Sequence, residues 1–165
     1  MSEAVVQTSE NIENDKYLVF RVGSSFYGIS LSEIVEVTEK LETVPTPNSP
    51  DHVLGVVNLR GEVITVVDTR MLLGQERSES QLNFVIVVNT NKGKVAALVD
   101  QMIDVRQINS EIIEGPHSTA QSEANVYLKG IAKADDHLIY ILRLKDFIQE
   151  ALSKKSKGED HELSA

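Results

Sequence analysis

The side chains with the widest chemical repertoire in this chain are four histidines, His52, His117, His137 and His161, and they are scattered. No two have the i, i+4 spacing that puts a pair of imidazoles on one helical face. No cysteine is present to complete a metal set, and none is available as a thiolate nucleophile. Asp135-Asp136-His137 has metal-binding residue types, but the flanking apolar runs make it a polar hairpin tip. There is no G-x-x-x-x-G-K-S/T phosphate loop and no G-x-S-x-G nucleophile elbow. Asp68 precedes a short helical pattern and reads as its N-cap. These residues predict no catalytic group, no metal and no cofactor. The chemistry on offer is recognition. Arg60 stands with Gly61 between the apolar runs Val53–Leu59 and Val63–Val67, at the tip of a predicted hairpin. There it is either a solvated turn residue or a contact residue on a rigid support.

The elements that position Arg60 are short. β-Branched residues on both sides of Arg60-Gly61 predict strands, and Asp68 starts a helical turn over Thr69–Leu73 that Gly74 ends. Upstream, Tyr17–Val22 and Ser25–Ile29 form a hairpin around Gly23-Ser24. Ser30 and Glu33 have capping-box spacing over a turn at Leu31–Val35, after which Val35–Thr38 begins a strand. The prolines of Thr43–Pro50 enforce a stiff extended connection, either a fixed loop or a ligand for a proline-binding domain. Beyond the polar stretch 75–81, Phe84–Val88 turns at Asn91-Lys92-Gly93 into Val95–Val99.

From there the pattern repeats. Leu31–Val37 lies 68 positions before Val99–Val105 with apolar residues in register. At an offset of 75, Gly55-Val56 falls on Gly130-Ile131, Val63–Val67 on Leu138–Leu142 and Leu72-Leu73 on Phe147-Ile148. The chain therefore reads as an internal duplication of about five short strands per half, divided near residue 80. Short strands with frequent turns suggest small closed barrels, because closure removes sheet edges. Lys145–Leu152 has the apolar spacing of a helix laid on the body.

The chain has 165 residues, 41% of them hydrophobic, enough for one sizeable core or two small coupled ones. No apolar run approaches a membrane span, so a soluble protein is expected; no secretion signal is seen, and the lack of cysteine is compatible with cytoplasm. Net charge is −9, which disfavours nucleic acid as a partner. Residues 1–15 are acidic and aperiodic, and 153–165 are charged; both are expected to be disordered tails around a body at 16–152.

The run Gly55-Val56-Val57-Asn58-Leu59-Arg60-Gly61-Glu62-Val63-Ile64-Thr65-Val66-Val67-Asp68 resembles the central motif of the CheW-like domain, a bacterial chemotaxis coupling module. The resemblance extends to Tyr17–Phe20, Tyr27-Gly28-Ile29, Ile34–Val37, Leu98-Val99-Asp100, Asp104-Val105 and Leu128–Ile131, covering roughly 16–150. Thr65 departs from a usual proline and Thr69 from a usual aliphatic residue. The resemblance implies an all-β fold of two intertwined five-stranded SH3-like barrels, with subdomains at about 16–80 and 81–152, plus a C-terminal helix. It implies a non-enzymatic adaptor that joins chemoreceptors to the regulatory domain of the histidine kinase CheA. Such an adaptor would be cytoplasmic, held at membrane receptor arrays through protein contacts, with self-association in arrays allowed. By motif, the receptor's helical hairpin tip would meet Gly55, Asn58, Arg60, Val85, Met102 and Val105. The kinase would meet Leu18, Leu31, Ile34, Glu36 and Val37. The same fold would equally serve a pathway controlling surface motility or second messengers.

Overall fold

The structure, a computed structural model, describes residues 16–75, 83–109, 113–114 and 127–153. The expected tails, most of the 75–81 stretch and the long loop of the second half lie outside the described residues. In chain order the elements are β1 (Lys16–Val22), β2 (Ser25–Ser30), a 3-10 turn (Leu31–Glu33), β3 (Ile34–Glu39), β4 (Val53–Leu59), β5 (Glu62–Asp68) and α1 (Thr69–Leu72). The second half supplies β6 (Phe84–Thr90), β7 (Gly93–Val99), β8 (Gln101–Gln107), β9 (Ile113–Glu114), β10 (Leu128–Ala134), β11 (His137–Leu142) and α2 (Leu144–Ser153).

The strands form two sheets, β8-β1-β2-β11-β10-β9 and β3-β6-β7-β5-β4. The halves meeting near residue 80 divide the sequence repeat but not the sheets. The hairpin β1-β2 joins the last strands of the second half, while β6-β7 joins β3, β4 and β5 of the first. The duplication holds in detail. Shifting β5 forward by 75 positions and β7 back by 68 turns the parallel pair Thr65↔Val95 into Tyr140↔Tyr27, which is the observed register of the other sheet. The 68-residue shift likewise turns Val37↔Ile86 into Val105↔Leu18. The sheet that contains β1 has six strands where five were expected, because Ile113–Glu114 adds β9 along β10.

The exchange creates three cores. Alternate residues of one strand serve different ones, as the two faces of a pleated strand require. Tyr17 and Val19 face a cluster with Ala132, Ile139 and Ile141 inside the first sheet. Val85 and Val87 face one with Val57, Ile64, Val66 and Leu98 inside the second. Leu18, Phe20 and Val22 instead meet Ile86, Val88, Val95 and Ala97 in a seam between the sheets, completed by Leu144 and Ile148 of α2. Phe20, Ile86, Val88 and Ile148 are fully buried there. Each such side chain contributes about 1.5–3 kcal/mol to stability, so the seam holds the sheets as one unit.

The local caps are mostly as the sequence implies. Asp68 Oδ1 accepts from the Arg70 amide at 2.9 Å, and Gly74 follows with φ +73. Thr69, where an aliphatic residue was expected by resemblance, is fully buried with its hydroxyl donating to the Leu98 carbonyl, so it replaces apolar packing with a satisfied hydrogen bond. The capping box is half made. Ser30 Oγ accepts from the Ser32 amide at 3.3 Å, but Glu33 turns away and accepts the Lys145 amide at 3.2 Å.

Candidate interaction site

The β4–β5 hairpin builds its tip from a left-handed pair, with φ +53 at Arg60 and +85 at Gly61. Such a turn matches the twist of the strands that it joins. Asn58 Oδ1 accepts the Gly61 amide at 3.0 Å and fixes the turn from the inside. Lower in the hairpin, Gly55 has φ +146, and a Cβ there would lie 2.1 Å from the Val44 carbonyl oxygen. That absence of a side chain lets the proline-rich connection lie on the sheet edge, where Val44 and Val56 exchange two hydrogen bonds of 2.8 and 2.9 Å. Gly55 and Asn58 are thus supports, and Arg60 is what they support.

Arg60 reaches back across the sheet. Its Nε and one terminal nitrogen each donate to a Glu36 carboxylate oxygen at 3.3 Å. β3 and β4 are opposite edges of their sheet, so this ion pair spans the gap that closure must bridge. Arg60 keeps 79% of its side chain exposed. Exposed ion pairs are weak, so the contact with Glu36 holds the guanidinium only loosely. The other sheet has the same closure with the charges inverted, Arg106 of β8 meeting Asp135 at the β10–β11 tip at 2.9 Å.

Glu36 and Arg60, expected to serve different partners, therefore form one contact. Ile34 and Leu31 are half-buried against the seam core, as is Met102. Val37 and Val105 are exposed, at 42% and 55%. Under the 68-residue repeat Ile34 corresponds to Met102 and Val37 to Val105, so the two lists fall on equivalent positions of β3 and β8. Val35 and Ile103 are another exposed pair with this spacing. Leu18 lies in the seam at 6% exposure and Val85 inside the second sheet at 1%, so both side chains are buried where outward-facing ones were expected. Both sit in strands buried on two faces, where apolar runs lose the alternation that marks an outward side. Sequence reasoning missed Val35, Val63, Ile103 and Leu138, all exposed. The 68- and 75-residue offsets could have found them.

Among the described residues no group of three or more His, Asp or Glu side chains could hold a metal, and no helix is long and apolar enough to cross a membrane.

This geometry defines an interaction domain: two interlocked sheets that present hairpin tips and apolar edge strands. The CheW-like domain profile matches residues 16–152, and the chain belongs to that family of chemotaxis scaffold and adaptor proteins. It is 28% identical over 155 residues to the probable chemotaxis protein CheW of Rhizobium etli, across 93% of this chain and 99% of that one. The crystal structure of the scaffolding protein TtCheW from Thermoanaerobacter tengcongensis superposes with a TM-score of 0.75 at 29% identity, covering 87% of this chain and 98% of that one. Protein FrzA of Myxococcus xanthus is 26% identical over 139 residues, 82% of this chain and 86% of that one.

Proposed function

We propose that this protein couples chemoreceptors to the histidine kinase CheA without catalysing a reaction. The observation that carries the reading is Arg60, presented exposed on a hairpin tip, tethered among the described residues by the half-buried Glu36 carboxylate and close in the fold to the edge strand that bears it. The planar fork of an arginine suits the carboxylates and free carbonyls of a receptor's helical hairpin tip. In this reading Arg60, Met102 and Val105 touch the receptor, supported by Gly55, Asn58 and Val85. Glu36, Val37, Ile34 and Leu31 form the kinase side, which Leu18 backs from the seam. Receptor movement then biases kinase activity by shifting contacts between states of the assembly. A reconstituted assay tests this: CheA should change its phosphorylation rate only when receptor and this protein are both present. An unchanged rate removes the coupling role.

A second reading, an adaptor of a non-flagellar chemosensory pathway, is favoured by the comparable similarity to FrzA. Identifying the kinase and receptors that co-purify with the protein from its own cells separates the two.

A further inference from the structure

α2 follows β11 directly, yet its two ends are pinned by side chains from the first half of the chain. At its start, Glu33 Oε1 accepts the Lys145 amide at 3.2 Å. Near its end, the His52 ring hydrogen-bonds the Ala151 backbone. His52 is itself fixed, since its carbonyl accepts the Asp68 amide at 2.8 Å. Along the same helix Leu144 and Ile148 fill the seam core, and Leu152 packs against it.

Both anchors leave one buried polar atom without a partner among the described residues, Glu33 Oε2 and His52 Nε2. For His52 this defines the protonation state. The other ring nitrogen carries the hydrogen given to the Ala151 carbonyl, and Nε2 keeps a bare lone pair in a site closed to water. We infer that α2 is a proton-sensitive strap, whose C-terminal turn is held while His52 is neutral and let go when Nε2 takes up a proton. A proton there creates a cation on a half-buried ring, together with a buried N–H that has no acceptor among the described residues.

Opposing influences are present and smaller. The Ala151 carbonyl and the neighbouring Asp51 favour the imidazolium, as does a helix C-terminus in general. Burial outweighs them and holds the imidazole below its ordinary value of 6.5. Asp68, on the strand that packs behind His52, is already paired with Arg70. A depressed histidine contributes stability that is complete above the unfolded value and is lost as pH falls below it. The Glu33 anchor responds the other way. Its carboxyl is raised first by burial, with Lys145 and Lys129 pulling it down and Asp146 pushing it up. Protonation therefore relieves the cost of burying this charge, and one oxygen remains to accept the Lys145 amide. Acid thus frees the end of the helix and keeps its beginning.

Hydrogen exchange on the full chain at pH 7.5 and 5.5, corrected for intrinsic rates, tests this. Amides 148–153 should lose protection at the lower pH, by at most about tenfold, while those of β6 and β7 hold. His52→Gln keeps a donor for the Ala151 carbonyl and should retain protection at both values. Equal protection of the natural chain at both values, or the same loss in His52→Gln, overturns the strap. Titration of the His52 ring by NMR in the natural chain gives an independent reading: a value at or above 6.5 overturns it, whatever the variant does.

Discussion

The two hairpin tips, Arg60-Gly61 and Asp135-Asp136, occupy equivalent places in the repeat and carry opposite charge. All four residues have positive φ, between 47° and 85°, so the turn geometry has been kept. Each tip is tied to the far edge strand of its own sheet, Arg60 to Glu36 on β3 and Asp135 to Arg106 on β8. The tips differ in sign, and on β8 the counter-charge Arg106 stands two places beyond Asp104, the repeat equivalent of Glu36, with which it also pairs. The backbone needs only residues that tolerate a left-handed turn, and closure needs only an opposite charge across the gap. Which sign stands on the tip is free to follow the partner. One fold position therefore offers a cation on one sheet and an anion on the other.

The sharpest way to break the likeness between the ends is Gly55→Ala. The first hairpin's edge is covered by the Val44 segment, which a Cβ at Gly55 would strike through backbone atoms at 2.1–2.8 Å. The second hairpin's edge is covered by β9 instead. We expect a loss of about 3 kcal/mol or more in chemical denaturation, with exchange protection falling first at Val44 and Val56. A smaller loss, below about 1 kcal/mol, would mean that the connection moves aside easily.

Ile34→Asp and Met102→Asp form a matched pair. Both side chains pack on the seam core, and burying an unpaired carboxylate there should cost about 2–4 kcal/mol in each case. Thermal melts check this; a melt that stays in place for either would mean that its half-buried side chain can swing into solvent and does not hold the seam.

Val37→Asp and Val105→Asp move to the exposed sides of the same two strands, where substitution should change stability by no more than about 0.5 kcal/mol. Val37→Asp should weaken kinase binding alone and Val105→Asp receptor binding alone. Loss of the same partner in both would end the distinction between the faces. The finest comparison is Arg60→Ala against Asp135→Ala. Calorimetry with a receptor cytoplasmic fragment should show about tenfold weaker binding for the first and no change for the second.

Local signals in the sequence predicted local structure well. The left-handed tips, the Asp68 cap, the spacing of α2 and the repeat offsets all appear in the fold, because each is set within a few residues or by simple periodicity. What stayed hidden was non-local. Nothing near Glu33 says that its carboxylate serves the Lys145 amide rather than the Ser30 box. Apolar runs such as Val85–Val88 show no alternation, because one side faces a sheet interior and the other the seam. Hence Leu18 and Val85 could be matched by motif and still be buried. The partnership of Glu36 with Arg60 joins residues whose nearness depends on how the sheet curls, which no spacing encodes.

The hairpin exchange also fixes an order of events during synthesis. β1 and β2 are made first, yet their neighbours are β8 and β11, and the parallel pair requires residues 139–141. The other sheet can be completed once β7 has emerged at Val99. Domains usually assemble from the amino terminus as they leave the ribosome. Here the oldest hairpin must wait for nearly the newest strand, with its apolar faces uncovered meanwhile. Long-range pairing of this kind is slow, so the apolar faces of β1 and β2 stay open until residues 139–141 arrive.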